Sequence, residues 1–116
     1  MQHNKKRTIR IGKSRREALL RSLAQSLILH EQIKTTETRA KILRGFVDKL
    51  INYAKKEDKV SAIRLLNKHL QDKNTSKKLM EVIAEKYTDK NSGYTRLIKT
   101  SPRDGDNAPM VYVQLT

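Results

Sequence analysis

The chain has 116 residues, and its 26 Lys or Arg residues outnumber its 12 Asp or Glu residues, giving a formal net charge of +14. It has no cysteine, which excludes disulfides, thiolate metal sites and cysteine nucleophiles. No apolar run approaches the roughly 20 residues of a membrane-spanning helix, and the N-terminus lacks the apolar stretch of a secretory signal. We therefore expect a cytoplasmic protein of one domain, with a polyanion such as nucleic acid as its partner.

The first 16 residues of the chain are rich in positive charge and contain no acidic residue. Their seven cations are Lys5, Lys6, Arg7, Arg10, Lys13, Arg15 and Arg16. A segment with so little apolar surface cannot offset the entropy of ordering by burying itself. We predict a basic extended arm over residues 1–15, ordered only against phosphates, and one globular domain over residues 16–116. An organellar transit peptide would also be basic and free of acid, but the arm lacks an amphipathic pattern.

Two amphipathic helices are predicted after the arm. Ser14 and Glu17 have the spacing of a capping box, and Thr36 is placed to cap the second helix. The first apolar stripe comprises Leu19, Leu20, Leu23, Ala24, Leu27 and Ile28, and the second Ala40, Leu43, Phe46, Val47, Leu50, Ile51 and Ala54. Gly45 interrupts the second helix at a cost of about 1 kcal/mol, either to permit close backbone approach or as a tolerated defect.

Two shorter helices are predicted next, followed by strands. Ala62, Ile63, Leu66 and Leu70 form the third stripe; Thr75 should cap a fourth helix with Leu79, Val82, Ile83 and, as a further candidate, Tyr87 facing inward. Residues 94–100 and 110–115 read as strands that should pair antiparallel with each other, and residues 33–36 could add a third. The expected class is α+β: about four helices packed against a small, two- or three-stranded mixed sheet.

Catalytic and metal sites find little support in the pattern. His30 and Glu31 could act as a base with its orienting partner, but a histidine at a helix C-terminus commonly interacts with the last carbonyls. Asp104 and Asp106 lack the further carboxylates of a calcium loop. A helix-turn-helix is disfavoured, because no helix offers the side chains that read base edges. A basic nuclease and an architectural DNA-binding protein remain alternatives.

Several segments, in a fixed order along the chain, resemble one known family. They are Arg16-Glu17-Ala18, Ser26-Leu27, His30-Glu31, Ile33-Lys34-Thr35-Thr36, Arg39-Ala40-Lys41, Leu43-Arg44, Leu50-Ile51, Ala54-Lys55, Gly93-Tyr94-Thr95-Arg96-Leu97-Ile98-Lys99 and Arg103-Asp104-Gly105-Asp106-Asn107-Ala108-Pro109-Met110. Together they resemble the bacterial large-ribosomal-subunit protein L-seventeen family. Gln2 and Asn4 depart from the arginines usual there, and Arg15 from a histidine.

The resemblance implies a structural, non-enzymatic constituent of the large ribosomal subunit, without cofactor or metal. Such a protein binds large-subunit ribosomal RNA near the exterior of the peptide exit tunnel and contacts other large-subunit ribosomal proteins. We expect the arm cations to bind phosphates, helped by basic positions on the domain: Arg21, Lys34, Arg39, Lys41, Arg44, Arg96 and Arg103. Tyr94, beside Arg96, is a candidate for stacking on a base, although a strand tyrosine is often part of a core.

Overall fold

The computed structural model describes residues 13–116, so the predicted arm lies almost entirely outside the described residues. The helices are α1 (Lys13–His30), α2 (Glu37–Ala54), α3 (Lys59–Leu70), α4 (Lys73–Lys78) and α5 (Ala84–Lys86), with a π-helical turn at Leu79–Ile83 joining the last two. The strands are β1 (Gln32–Thr36), β2 (Thr95–Lys99) and β3 (Met110–Leu115). The predicted α+β class is confirmed, including the third strand before α2.

The sheet has the order β1-β3-β2, so the last strand of the chain is central. Both pairings are antiparallel, with Ile33 opposite Val113 in one and Leu97 opposite Val113 in the other. The sheet is therefore antiparallel throughout, and the prediction of a mixed sheet was wrong. The predicted pairing of β2 with β3 is confirmed, and β1 reaches the free edge of β3 because it leaves α1 through a reversal at Glu31.

α2 lies at the centre of the domain and contacts α1, α3 and all three strands. Leu43, Val47, Leu50 and Ile51 on α2 are completely buried. They meet Val113 from the sheet in a single apolar core, to which α1, α3 and the final helices also contribute. The helical spacing of apolar residues therefore predicted the buried faces of α1 and α2 correctly.

The helix caps differ from the sequence prediction. Ser14 lies within the first turn of α1 instead of preceding it, and Thr36 has extended backbone angles at the N-cap of α2 but makes no side-chain cap bond. Asp58 caps α3 by accepting from the amides of Val60 and Ser61. Asp72, not Thr75, caps α4, because its carboxylate accepts from both the Asn74 amide and the Thr75 hydroxyl.

The π-helical turn rotates the last helical segment relative to the predicted stripe. Leu79 and Ile83 are buried as expected, but Val82 is 53% exposed. One extra residue in a helical turn shifts the side chains around the axis, so Ala84 enters the core in place of Val82, while Tyr87 is buried as the stripe suggested. Ile63 of α3 is also exposed, so the predicted stripes were wrong at one position in each of these helices.

Gly45 lies on the exposed side of α2, and a Cβ added there would meet no atom of residues 13–116 within 4 Å. Within this part of the chain Gly45 is therefore a tolerated defect and not a site of close backbone approach. None of the helices between Lys13 and the C-terminus has the length and apolar character needed to cross a membrane.

Candidate nucleic-acid interface

One face of the sheet packs on the helices, and the other lies open. Because alternate residues of a strand point to opposite faces, the register defines the open face as two cross-strand rows. The rows are Gln32–Gln114–Arg96 and Lys34–Tyr112–Ile98. We call these six residues the open sheet face. It contains two cations and no carboxylate, so it is suited to an anionic partner.

The middle of the open sheet face is an aromatic ring with a cation over it. The Lys34 ammonium lies 5.7 Å from the centroid of the Tyr112 ring, within the range of a cation–π contact. Ile98, on the other side of Tyr112, is 40% exposed. At one end of the face the Gln114 amide donates to Gln32 Oε1 over 2.6 Å, which fixes both side chains. The arrangement offers point charges for phosphates beside one ring that could stack.

The cations predicted on α1 and α2 have different surroundings. Arg15, Arg39 and Arg44 are exposed, whereas Arg16 and Arg21 are half-buried. Arg21 Nε donates to the carbonyl of His69 over 3.1 Å, so this side chain ties α1 to the end of α3. Lys41 pairs with Glu37 one turn earlier, at 2.9 Å. Lys13 begins α1, and Lys5, Lys6, Arg7 and Arg10 lie outside the described residues.

Arg103 lies in the loop between β2 and β3 and is paired within that loop. Its guanidinium donates to Asp106 through two nitrogens, at 3.1 and 2.7 Å. These bonds, followed by one from the Ala108 amide, lower the pKa of Asp106 to about 2, and bonding to Asp106 raises the pKa of Arg103. A fully exposed pair of this kind is only weakly stabilising because solvent screens it, so a phosphate can displace the carboxylate.

Tyr94 is not available to a base. Its side chain is fully buried and contacts the ring of Tyr87, with 5.1 Å between centroids. Its hydroxyl accepts from Lys55 Nζ at 2.9 Å and donates to Asn52 Oδ1 at 2.6 Å. The stacking role suggested for Tyr94 is therefore not supported, because both faces of its ring are occupied by the core. Tyr112, on the open sheet face, is only half-buried.

His30 and Glu31 are explained by the end of α1. Glu31 has a left-handed backbone (φ 64°), and its amide bonds to the Leu27 carbonyl at 2.7 Å, closing the helix. Lys78 Nζ donates to the carbonyl of Leu29 at 3.0 Å and lies 3.8 Å from the Glu31 carboxylate. Within residues 13–116 no group of three His, Cys, Asp or Glu side chains could hold a metal ion. The pair is a helix terminus, not a catalytic dyad.

Comparison with known proteins identifies the family. The model of the family "Ribosomal protein L17" matches residues 19–116. This chain belongs to that family. Three relatives named "Large ribosomal subunit protein bL17" agree with the assignment. That of Syntrophotalea carbinolica is 46% identical, over 99% of this chain and 74% of its own length. That of Rubrobacter xylanophilus is 46% identical over 95% and 92%, and that of Campylobacter concisus 48% over 88% and 86%.

Family membership confirms the predicted resemblance and the predicted absence of enzymatic activity, because this is a family of structural ribosomal proteins. The match begins at Leu19, inside α1, so it covers all of the core described above. The open sheet face and α2 therefore lie within the part of the chain that matches the ribosomal family.

The sequence analysis predicted Lys34 and Arg96 on the open sheet face, but it missed the other four residues of that face and a second group of surface residues. The alternation in Met110–Leu115 does place Tyr112 opposite the buried valines, so the strand pattern held the signal for the open sheet face. The second group is a cavity where α1, α2 and α3 meet, lined by Leu20, Phe46 and His69 among others. No spacing rule joins residues so far apart in sequence. Phe46 had been assigned to the core stripe, but it is only half-buried.

Proposed function

We propose that this protein is a structural constituent of the large ribosomal subunit. It binds large-subunit ribosomal RNA near the exterior of the peptide exit tunnel and contacts other large-subunit proteins there, in the cytoplasm. The observation that carries the proposal is the family match over residues 19–116, joined to relatives named as large-subunit proteins. The position near the tunnel rests on the resemblance set out above.

The arm supplies the largest share of the binding free energy in this proposal. Lys5, Lys6, Arg7 and Arg10 precede α1, and Arg15 and Arg16 continue the charge into its first turns. Each phosphate that a cation neutralises releases condensed counterions into bulk solvent, which favours binding and makes it depend on salt. An arm of a dozen extended residues can reach roughly 40 Å, far enough to pass between RNA segments.

Exposed cations on the folded domain orient it on the RNA in this proposal. Lys34 and Arg96 on the open sheet face are exposed and, in the described residues, have no carboxylate beside them in the register. Arg39 and Arg44 are exposed on α2. Lys41 and Arg103 already pair with acids, and they can bind phosphate only by exchanging partners. We therefore rank Lys34, Arg96, Arg39 and Arg44 above Lys41 and Arg103 as phosphate contacts.

The test combines subunit association with salt dependence. The full chain should sediment with large subunits in low salt and dissociate in high salt. Deleting residues 1–12 removes four cations and leaves α1 intact, so the slope of log affinity for ribosomal RNA against log salt should fall by about three units. Replacing four exposed lysines elsewhere, Lys59, Lys73, Lys77 and Lys86, with Gln is the matched control and should reduce the slope less.

Two results would contradict the proposal. One is an unchanged salt slope after the deletion of residues 1–12, which would show that the arm does not bind RNA phosphates. The other is tighter binding to plain duplex DNA than to ribosomal RNA, together with no association with large subunits, which would favour an architectural DNA-binding protein.

A further inference from the structure

A cavity of about 430 Å³ lies where α1, α2 and α3 meet. This volume is within the range of small-ligand sites. Leu20 from α1, Phe46 from α2 and His69 from α3 provide its apolar and aromatic walls. Arg16, Arg21 and Lys68 also line it, and Glu17 is the single carboxylate among the described residues of its lining. The cavity therefore combines ring surfaces with an excess of positive charge.

Phe46 and His69 line the cavity, and the Tyr53 ring packs against His69 beside it, so three rings form one cluster. The Tyr53 and His69 rings are stacked, with centroids 5.6 Å apart and an interplanar angle of 21°. Phe46 meets the His69 ring edge-on, with 6.1 Å between centroids. All three side chains are only half-buried, although an apolar core lies directly beneath them. Partly exposed rings held in a fixed arrangement are what a stacking partner needs, because little side-chain entropy remains to be lost.

Cations surround these rings on more than one side. The ammonium groups of Lys49 and Lys56 lie 5.9 and 6.0 Å from the centroid of the Tyr53 ring. Arg21 is held at the end of α3 by its bond to the His69 carbonyl. Partial burial and the charges of Lys49 and Lys68 lower the pKa of His69, which favours the neutral imidazole at physiological pH. A neutral ring stacks on a base without adding a further positive charge to the cluster.

We propose that this cavity binds one unstacked nucleotide of a single-stranded RNA segment. The base lies against Phe46 and His69, and the flanking phosphates lie near Arg16 and Lys68. Arg16 is in the first turns of α1, directly after the basic arm, so RNA bound by the arm passes the mouth of the cavity. The inference rests on the proposed function, and it adds a preference for unpaired nucleotides that counterion release alone does not give.

The experiment compares oligoadenylate, the same strand in an oligoadenylate–oligouridylate duplex, and inorganic phosphate, each added to the full chain. Ring proton resonances of His69 and Phe46, followed by NMR, should move upfield with the single strand only. His69→Ala should weaken single-strand binding about tenfold, the scale of one stacked base, and leave duplex binding unchanged. Ile63→Ala, which shortens an exposed side chain of α3 outside the cavity, is the matched control and should leave the His69 shifts intact.

Circular dichroism melting of His69→Ala checks that the domain still folds, and Lys68→Gln offers a second variant at an exposed position. Lys68→Gln should weaken binding of both RNA forms and lower the salt slope. Equal ring shifts with phosphate, with duplex or with an acidic peptide such as oligoglutamate would overturn the cavity proposal, as would no shift at all. If the chain shows no preference for the single strand but still sediments with large subunits, only the cavity proposal is wrong. If the chain does not associate with subunits, the proposed function is wrong.

Discussion

Two lysine–tyrosine pairs lie at the sheet, and they differ in almost every physical respect. Lys55 and Tyr94 pair beneath it, with the ring fully buried and the ammonium 5.1 Å from its centroid. Lys34 and Tyr112 pair on the open sheet face, with the ammonium 5.7 Å from the ring and exposed to solvent. The same two residue types therefore serve the core in one place and a surface in the other. Burial, not residue identity, separates structural from binding roles in a chain this basic.

The largest expected effect is on stability, at the buried pair. Tyr94→Ala should lower the free energy of unfolding by about 3–5 kcal/mol, because it leaves a cavity beside Tyr87 and removes the partner of Asn52 and Lys55. Tyr94→Phe, which removes only the hydroxyl, should cost about 1 kcal/mol. Urea denaturation measures both. Tyr112→Ala is the control and should change the free energy of unfolding by less than about 1 kcal/mol. An equal decrease in this free energy for both variants would show that the buried and the open tyrosine do not differ in their structural role.

The second effect concerns RNA and should appear at the open pair alone. Replacing Lys34 and Arg96 with Gln together should reduce the slope of log affinity for ribosomal RNA against log salt by between one and two units. The melting temperature should stay nearly constant, because both side chains are exposed. Lys55→Gln serves as the opposite control: it should destabilise the domain and leave the slope unchanged. If Lys55→Gln changed the slope as much, the open sheet face would have no special role.

The smallest expected effect is on the pH dependence of stability. It arises beside the cavity, where the Lys49 ammonium lies over the Tyr53 ring and its charge acts on His69. Burial first, and then Lys49 and Lys68, lower the pKa of His69 below 6.5 in the folded chain. In the pH range between that lowered pKa and 6.5 the unfolded chain binds more protons. The free energy of unfolding should therefore decrease as the pH falls below 6.5, and level off below the folded-state pKa.

NMR titration of the His69 ring measures this pKa directly. Replacing Lys49 and Lys68 with Gln should raise it, but not fully to 6.5, because burial remains the first cause of the shift. His69→Gln removes the pH dependence that this group contributes and is the control for thermal melts. A pKa that rose completely to 6.5 in the double variant would show that charge, and not burial, sets it.

Parts of the site followed directly from the sequence, and other parts did not. Lys34 and Arg96 were predicted as RNA contacts, and their exposure is consistent with that role. Tyr94 was grouped with Arg96 because the two are close in sequence. Strand alternation would place Tyr94 on the same face as Arg96, but β2 begins only at Thr95, so Tyr94 lies outside the strand and its ring is buried in the core. The ring cluster of Phe46, Tyr53 and His69 had no local signal, since its members come from two different helices.

The amino-acid sequence by itself determined the net charge, the apolar stripes of α1 and α2, the three strands and the family. These properties depend on composition and on periods of 3.6 and 2 residues, which are local. Tertiary structure alone decided which tyrosines are buried and where Val82 points within the π-helical turn. Those outcomes depend on the packing of helices against one sheet face, because only the assembled core determines which side chains remain exposed to a partner.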